Sequence, residues 1–261
     1  MTTIPAPLDT SSPKAFGNGT FAERTAFHGL EVLVPISLKR PLRSYGKVQR
    51  AVSSIIRNRR WAANIKQSGV YLNIGSGPQT HPDFCNIDYI WFEGVDVCWD
   101  ITRPLPIPSK YAGGIFTEHC LEHIEIQDGL RVLREFFRVM RPGAYIRIIV
   151  PDAEIYLTQY AKHARGEPSK MPYGTDTPYV RLPGLEGTYT PAMSVNRIFL
   201  HNYENQGHRF IYDFETMAKL LERAGFMHVR KLSFGVGSDP KLLLDTSSRE
   251  VESLYVEARA S

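Results

Sequence analysis

The sequence predicts an α/β fold in which helices cover both faces of a mainly parallel sheet. From residue 70 onwards, short apolar segments alternate with amphipathic ones, a pattern typical of such sheets. The first apolar segment, Val70–Ile74, runs directly into Gly75-Ser76-Gly77. Because a glycine-rich turn lets a ligand approach the backbone closely, the prediction includes a binding site at this edge of the sheet.

The composition is that of an ordinary globular protein, with 43% hydrophobic and 22% charged residues in a chain of 261. No apolar run approaches the ~20 residues that a membrane helix needs. The first 20 residues lack the basic and apolar regions of a secretory signal, so we expect a cytoplasmic protein. Cys85, Cys98 and Cys120 lack metal-ligand spacing and predict buried free thiols.

The remaining elements are predicted from their own patterns. Apolar residues at intervals of three and four predict a helix over residues 127–140, which Arg141-Pro142-Gly143 ends. A second helix is predicted from the N-cap Asp213 to Gly225. The other strand candidates are Cys85–Asp88, Val95–Trp99, Ile115–Thr117, Ala144–Val150, Met227–Phe234 and Ser253–Ala258.

The chain divides into four predicted units. Residues 1–25, rich in Pro, Ser, Thr and Gly, predict a loose N-terminal arm. Residues 26–67 predict a basic helical segment, and residues 68–152 with 213–261 predict the core. Residues 153–212 show no sustained period, and nine of these 60 residues are Tyr or Phe. We therefore predict that they form an inserted, substrate-binding cap over the edge of the sheet.

Positive charge is concentrated near the N-terminus. Residues 32–68 carry nine Lys and Arg and no acidic residue, whereas residues 69–261 carry 20 basic and 24 acidic residues. We predict that residues 39–66 contact an anionic surface, either the inner membrane leaflet or a phosphate-bearing acceptor; a solvated helix surface is the alternative. We expect no nucleic-acid binding, because the acidic body would repel the phosphate backbone. The oligomeric state is left open.

Carboxylates follow the second and third strands. Asp88 comes 11 residues after Gly77, where a carboxylate accepts hydrogen bonds from both ribose hydroxyls or caps a turn. The interval leaves no room for a crossover helix and predicts a loop or a single helical turn. Asp100 is predicted to accept from an adenine amino group, and Asp96, in mid-strand, is the less favoured alternative. Thr80 occupies the third glycine position of the dinucleotide fingerprint, which disfavours a nicotinamide cofactor.

The segment 118–123 holds two glutamates and two histidines. A metal cluster of Glu118, His119, Glu122 and His123 is one interpretation, since the histidines at i, i+4 would share a helical face. The His-Glu-x-x-His pattern is absent. We therefore predict no metal, and we expect His123 to pack at the start of the following helix.

Over residues 68–258 the chain resembles the class I S-adenosylmethionine-dependent methyltransferases. The resemblance is carried by segments in the family's order: IGSGP, NIDY, WDIT, TEHCLEHI, RVMRPGAYIRIIVPD and GHRFIYDFETMAKLLERAGF. It is nearest to the branch with an HxLEH-type motif after the fourth strand, often found among bacterial surface-polysaccharide genes. Gly113-Gly114 departs from the aromatic-acidic pair that relatives usually carry there.

The resemblance implies a Rossmann-like, seven-stranded sheet whose last strand is antiparallel. It also implies S-adenosylmethionine as cofactor and S-adenosylhomocysteine as product, bound where the strands end. The residues implied are Gly75, Ser76 and Gly77 for the methionine moiety, Asp88 for the ribose, Asp100 and Ile101 for the adenine, and His119 beside the sulfonium.

If the acceptor is a hydroxyl, its proton must leave, and three side chains are candidate bases. They are His119, His208 before the last helix, and Asp152 after the fifth strand. The alternatives are that His208 packs on the cap and that Asp152 is a helix N-cap. Aromatic and basic residues of the cap are candidates for binding sugar rings and phosphates, or else pack the cap itself: Tyr156, Tyr160, Tyr173, Tyr179, Tyr189, Tyr203, Arg165, Arg181 and Arg197.

The sequence thus predicts a methyltransferase that O-methylates a sugar, glycan or related small-molecule hydroxyl. Two alternatives remain open. One is a non-catalytic nucleoside-binding or regulatory protein with the same fold. The other is a nicotinamide-dependent oxidoreductase, which Thr80 and the short Gly77–Asp88 interval disfavour.

Overall fold

The structure is a computed structural model, described here for residues 69–90, 92–173, 189–200 and 207–261. The predicted N-terminal arm and basic helical segment, with residues 39–66, lie outside the described residues. So do Tyr179, Arg181 and Tyr203 of the predicted cap.

The described residues form one seven-stranded sheet. Its strands are β1 (Tyr71–Ile74), β2 (Phe84–Asp88), β3 (Val97–Cys98), β4 (Ala112–Glu118), β5 (Met140–Pro151), β6 (Phe226–Leu232) and β7 (Ser253–Ala260). They lie in the order β3-β2-β1-β4-β5-β7-β6. The strands from β3 to β5 pair in parallel, and β7 is antiparallel to both β5 and β6. This order confirms the predicted Rossmann-like sheet with a reversed last strand.

Four α-helices accompany the sheet in the described ranges: α1 (Ile126–Val139), α2 (Ala153–Ala164), α3 (Pro191–Leu200) and α4 (Phe214–Ala224). The predicted caps of α4 are confirmed: Asp213 accepts a hydrogen bond from the Thr216 nitrogen at 2.8 Å, and Gly225 adopts a left-handed conformation with φ of 110°. No helix in this part of the chain is long and apolar enough to cross a bilayer.

The predicted end of α1 is wrong by a residue, and Arg141-Pro142-Gly143 lies within β5 rather than after the helix. The Val139 carbonyl already accepts from the Tyr111 nitrogen at 2.7 Å, and Met140 is paired with Ala112 of β4. Sheet pairing therefore ends the helix before proline can do so.

The connection from β1 to β2 contains turns and no helix, as predicted. The described part of the predicted cap does contain regular structure, namely α2 and α3. Within α2 only Tyr156 is buried, so its sequence carries no apolar stripe. Its packing partners Met171 and Ile198 come from later in the chain, which explains why periodicity did not predict these helices.

The main core consists mainly of aliphatic side chains on one face of the sheet, packed against the inner faces of α1 and α4. Leu72, Ile115, Ile146 and Val256 are fully buried within it. The three cysteines are free, with Cys85 and Cys98 buried and Cys120 partly buried. This core fixes the strand ends, from which the site is built.

Candidate active site

A cavity of about 790 Å³ lies where β1, β2 and β4 end. Ligand pockets commonly have volumes of about 300–1,000 Å³. The sheet brings all the residues that the sequence assigned to the cofactor to the wall of this one cavity: Gly75, Ser76, Gly77, Asp88, Asp100, Ile101 and His119.

The turn after β1 requires glycine at two positions. Gly75 has φ of 71°, and a Cβ there would lie 2.3 Å from the Cys120 sulfur. Gly77 has φ of 51°, and a Cβ there would meet nothing within 4 Å. The first glycine thus lets the turn pack against Cys120. The second leaves open space over the backbone, which fits a ligand that approaches the main chain closely.

The Asp88 carboxylate is held at the end of β2 by the backbone. One oxygen accepts from the Gly77 nitrogen at 2.8 Å and the other from the Ile90 nitrogen at 2.7 Å. Burial raises the pKa of Asp88 to about 6, against the opposing effect of these N–H groups. Because each carboxylate oxygen has two lone pairs, the group can still accept from two ribose hydroxyls.

Asp100 lines the cavity, whereas Asp96 does not. One Asp100 oxygen accepts from the Thr102 nitrogen at 3.1 Å and from its hydroxyl at 2.7 Å. Asp96 instead accepts from the Asn86 nitrogen at 2.8 Å, which ties β2 to the segment before β3. The geometry therefore favours Asp100 over Asp96, as the sequence did.

His119 follows β4 in a left-handed conformation, with φ of 49°. Its Nε2 lies 2.9 Å from the Ser253 hydroxyl, and its Nδ1 lies 3.5 Å from a Glu122 carboxylate oxygen. Burial, reinforced by the positive charge of Arg249, lowers the pKa of His119 well below its usual value. The imidazole is therefore neutral at pH 7.

Of the three predicted bases, His119 alone lines the cavity. Asp152 is the N-cap of α2: its side chain accepts from the Glu154 nitrogen at 2.9 Å and lies 3.3 Å from the Lys231 amine. His208 places Nδ1 2.5 Å from the Ile198 carbonyl oxygen, within the cap. Asp152 is therefore a helix N-cap and His208 packs on the cap, which are the alternatives to a role as base.

A cluster of the buried Glu122 with the partly buried His123 and His208 lies beside His119. One ligand atom from each of the three residues lies within 4.8 Å of the others. Glu122 is fully buried, and burial raises its pKa to about 8. Glu118 is not part of this cluster, because its carboxylate accepts from the Thr246 nitrogen at 2.9 Å and from its hydroxyl. The rings of His123 and His208 lie 5.0 Å apart, edge to face, a contact that the sequence did not predict.

Sequence reasoning missed the connection between β6 and β7, whose Leu244, Thr246 and Arg249 line the cavity. The fully buried Arg147 of β5 holds this connection through a bidentate pair with Asp245, at 2.6 and 2.5 Å. The length of this connection could have indicated a functional role. Neighbouring antiparallel strands are usually joined by 2–5 residues, whereas residues 233–252 separate these two strands.

Several cap residues that were candidates for binding sugar or phosphate instead pack the cap. Glu252, which is buried, accepts from the hydroxyls of Tyr156 and Tyr173 at 2.7 and 2.8 Å and from Arg197 at 2.7 Å. The Arg197 guanidinium also lies 3.7 Å from the centre of the Tyr173 ring. Tyr189 donates to the Tyr173 carbonyl oxygen at 3.2 Å. The side chains of Tyr156, Tyr173, Tyr189 and Arg197 therefore pack within the cap.

Residues 83–148 match the family model of a methyltransferase domain. An S-adenosylmethionine-dependent methyltransferase from Archaeoglobus fulgidus is 16% identical, with a TM-score of 0.44 over 82% of this chain and 93% of that chain. The 1,6-didemethyltoxoflavin-N1-methyltransferase of Burkholderia thailandensis, with 1,6-didemethyltoxoflavin and S-adenosylhomocysteine bound, is 16% identical, with a TM-score of 0.42 over 99% and 93%. No curated protein matches the sequence significantly.

The matched segment runs from just before β2 into β5 and includes Asp88, Asp100 and His119. The match confirms the predicted enzyme class, a methyltransferase with S-adenosylmethionine as its cofactor. The glycine turn, the open backbone at Gly77 and the remaining acceptor capacity of Asp88 fit such a cofactor.

Proposed function

We propose that the protein transfers the methyl group of S-adenosylmethionine to a hydroxyl of a sugar or glycan-type acceptor. The main support is the contact between the glycine turn and Asp88. The Gly77 nitrogen lies 2.8 Å from the Asp88 carboxylate, and both residues line the cavity. The cofactor supplies a methyl group that its sulfonium has already activated. The task left to the chain is to hold both partners and align them.

Each cofactor moiety has a candidate partner on the cavity wall. The backbone from Gly75 to Gly77 would bind the methionine moiety, and Asp88 would accept from the ribose hydroxyls. Asp100 with Ile101 would bind the adenine. This assignment is supported by the Gly77 backbone, which has open space above it, and by the lining positions of Asp88 and Asp100.

The acceptor end of the cavity is polar. Glu118, His119, Arg209, Arg249 and Thr246 line the cavity, and we assign the acceptor to this set of donors and acceptors, which suits a hydroxyl-rich substrate. The choice of a sugar rests on the resemblance of TEHCLEHI to the HxLEH-type branch associated with surface polysaccharides. We assign to His119, the candidate base that lines the cavity, the role of taking the proton of the acceptor hydroxyl.

Calorimetry with S-adenosylhomocysteine and with NAD tests the cofactor assignment. We expect the first to bind and the second not to; the reverse would identify an oxidoreductase and overturn the proposed function. Turnover of labelled S-adenosylmethionine with nucleotide sugars and oligosaccharides then tests the acceptor. Binding without turnover on any acceptor class would favour the non-catalytic alternative.

The basic stretch of residues 39–66 supports a second, separate proposal, contact with the inner leaflet of a membrane. Each basic residue near an anionic bilayer contributes ~1 kcal/mol, and salt screens that attraction. The full chain should therefore co-sediment with anionic vesicles at low salt and be released by ~0.5 M salt. Failure to bind such vesicles at low salt would contradict the membrane contact and leave the methyltransferase assignment intact.

A further inference from the structure

The cluster of Glu122, His123 and His208 is not used by the proposed transfer reaction. Glu122 and His123 belong to the short helical turn after β4, and His208 belongs to the segment before α4. These segments are held together through the backbone of Glu122, whose carbonyl oxygen accepts from the Arg209 nitrogen at 2.7 Å and from the Phe210 nitrogen at 3.2 Å. The side chains of the cluster are therefore brought together by a fixed backbone arrangement.

The Glu122 side chain indicates that the cluster binds a cation. It is fully buried, and among the described residues neither of its oxygens has a hydrogen-bond partner. Buried carboxylates are normally hydrogen-bonded, paired with a charge or coordinated to a metal. Two ring nitrogens lie close to one of its oxygens, with His119 Nδ1 at 3.5 Å and His123 Nε2 at 3.9 Å.

His208 has the arrangement expected of a metal ligand. Its Nδ1 lies 2.5 Å from the Ile198 carbonyl oxygen, and a carbonyl can only accept, so Nδ1 carries the proton. In a neutral ring the lone pair is then on Nε2. Histidine ligands of metals commonly donate their other ring nitrogen to a backbone carbonyl in this way, which fixes the tautomer and the ring orientation.

We propose that Glu122, His123 and His208 bind one divalent transition-metal ion. Two imidazoles and a carboxylate suit Zn²⁺ or Co²⁺, whereas Mg²⁺ and Ca²⁺ prefer oxygen ligands. Ligand atoms of a tetrahedral zinc lie roughly 3.5 Å apart, and those of the cluster lie within 4.8 Å. Closing the site on an ion therefore requires side-chain shifts of roughly 1 Å.

The cluster reaches the cavity through His123, which lines it. Three protein ligands leave at least one coordination position open, and an oxygen of the acceptor can occupy it. This role in the reaction rests on the proposed function, whereas binding of the ion does not. The sequence predicted no metal and could not indicate this set of ligands, because His208 lies 85 positions after His123, and only the fold brings these two residues together.

The test uses the full chain without a polyhistidine tag, freed of metal by a chelator. Zn²⁺ is titrated by calorimetry, and Co²⁺ is titrated by its visible absorption. We expect one ion per chain and an absorption spectrum typical of nitrogen and oxygen ligands. Absence of stoichiometric binding of both ions would overturn the proposed metal site.

Two variants identify the ligands. Glu122→Gln removes the anionic oxygen, and His208→Asn removes Nε2 while keeping a donor for the Ile198 carbonyl. Loss of a group that only hydrogen-bonds to a metal ligand already lowers metal affinity about 10–100-fold, so loss of a ligand itself should lower it at least about tenfold in each variant. His163→Ala, at an exposed histidine of α2, is the matched control and should bind like the wild type.

Circular dichroism identifies which variants fold, and unchanged affinity in either folded variant would overturn the assignment of ligands. S-Adenosylhomocysteine is titrated separately into the metal-free protein. Cofactor binding without metal binding would overturn the metal site alone. Metal binding without cofactor binding would overturn the proposed function and leave the site standing.

Discussion

The main-chain nitrogen of Gly77 donates to the carboxylate of Asp88 across 2.8 Å, which joins the turn after β1 to the end of β2. Asp88→Ala removes this link and the two charge-assisted hydrogen bonds expected to ribose, each contributing ~1.5–3 kcal/mol. The affinity for S-adenosylhomocysteine, measured by calorimetry, should fall at least about tenfold. Asp83→Ala, at an exposed position before β2, should leave it unchanged. Equal affinity in a folded Asp88→Ala variant would contradict the placement of the adenosine.

The charge of Asp88 should also make cofactor affinity depend on pH. Burial raises the pKa of this carboxyl to about 6, and protonation removes its capacity to accept from two hydroxyls. Affinity should therefore be constant above about pH 7 and weaken as the pH falls through about 6. Calorimetry between about pH 5 and 8 measures this profile. Asp88→Asn should bind more weakly with a flat profile, and a retained inflection in that variant would assign the titration to another group.

The same pKa shift affects folding with the opposite sign. A carboxyl whose pKa is raised on folding holds its proton more tightly in the folded state than in the unfolded chain. The contribution of Asp88 to the free energy of unfolding therefore decreases as the pH rises from about 4 to about 6. Ionisation of Asp88 thus favours cofactor binding but lowers the free energy of unfolding.

The sequence predicted those parts of the site that depend on contiguous residues. Gly75, Gly77 and Asp88 lie directly at the ends of β1 and β2, so apolar runs and spacing were enough to predict that they share one edge of the sheet. The caps of α4 were predicted for the same reason, since Asp213 and Gly225 act within one turn of their own helix.

Contacts between distant segments could not be predicted in this way. No periodicity links Arg147 in the middle of β5 with Asp245 in the β6–β7 connection, although they form a buried ion pair. Likewise, the Glu252 carboxylate accepts hydrogen bonds from Tyr156, Tyr173 and Arg197, which are far from it in sequence. The sequence shows the chemistry of such residues but not their partners, because the partners are set by how the connections fold over the sheet.

Gly75→Ala should destabilise the protein through a clash as well as through backbone strain. The new Cβ would lie 2.3 Å from the Cys120 sulfur and 2.5 Å from its Cβ, at a φ of 71°. Gly166→Ala is a matched control, because it has the same φ of 71° and nothing within 4 Å of its new Cβ. Thermal unfolding should show a loss of about 1 kcal/mol for the control and about 2–4 kcal/mol for Gly75→Ala. Equal losses would mean that the Cys120 side chain can move away from the new Cβ without lowering the free energy of unfolding.

The Arg147–Asp245 pair should contribute to stability as a unit. Asp245→Ala leaves the fully buried guanidinium without its bidentate partner, and breaking such a pair costs about 3–5 kcal/mol. Denaturant unfolding of the single variant measures this loss, and the double variant Arg147→Met/Asp245→Leu should recover much of it. Glu215→Ala, which breaks an exposed ion pair with Lys219 on α4, should change stability far less. A small loss for Asp245→Ala would indicate that water replaces the carboxylate.

His119→Asn should separate proton transfer from cofactor binding. Asparagine tolerates the left-handed conformation that His119 adopts, with φ of 49°, so the variant should fold. It removes the ring that lies against the Ser253 hydroxyl and Glu122. If this ring takes the proton of the acceptor, turnover of labelled S-adenosylmethionine should fall ~10²-fold or more, while S-adenosylhomocysteine affinity changes little. His228→Asn is the matched control, because His228 has φ of 54° on exposed β6 and lies outside the cavity lining. Full turnover in His119→Asn would favour alignment without a base, and a nitrogen or carbon acceptor would then fit the site better than a hydroxyl.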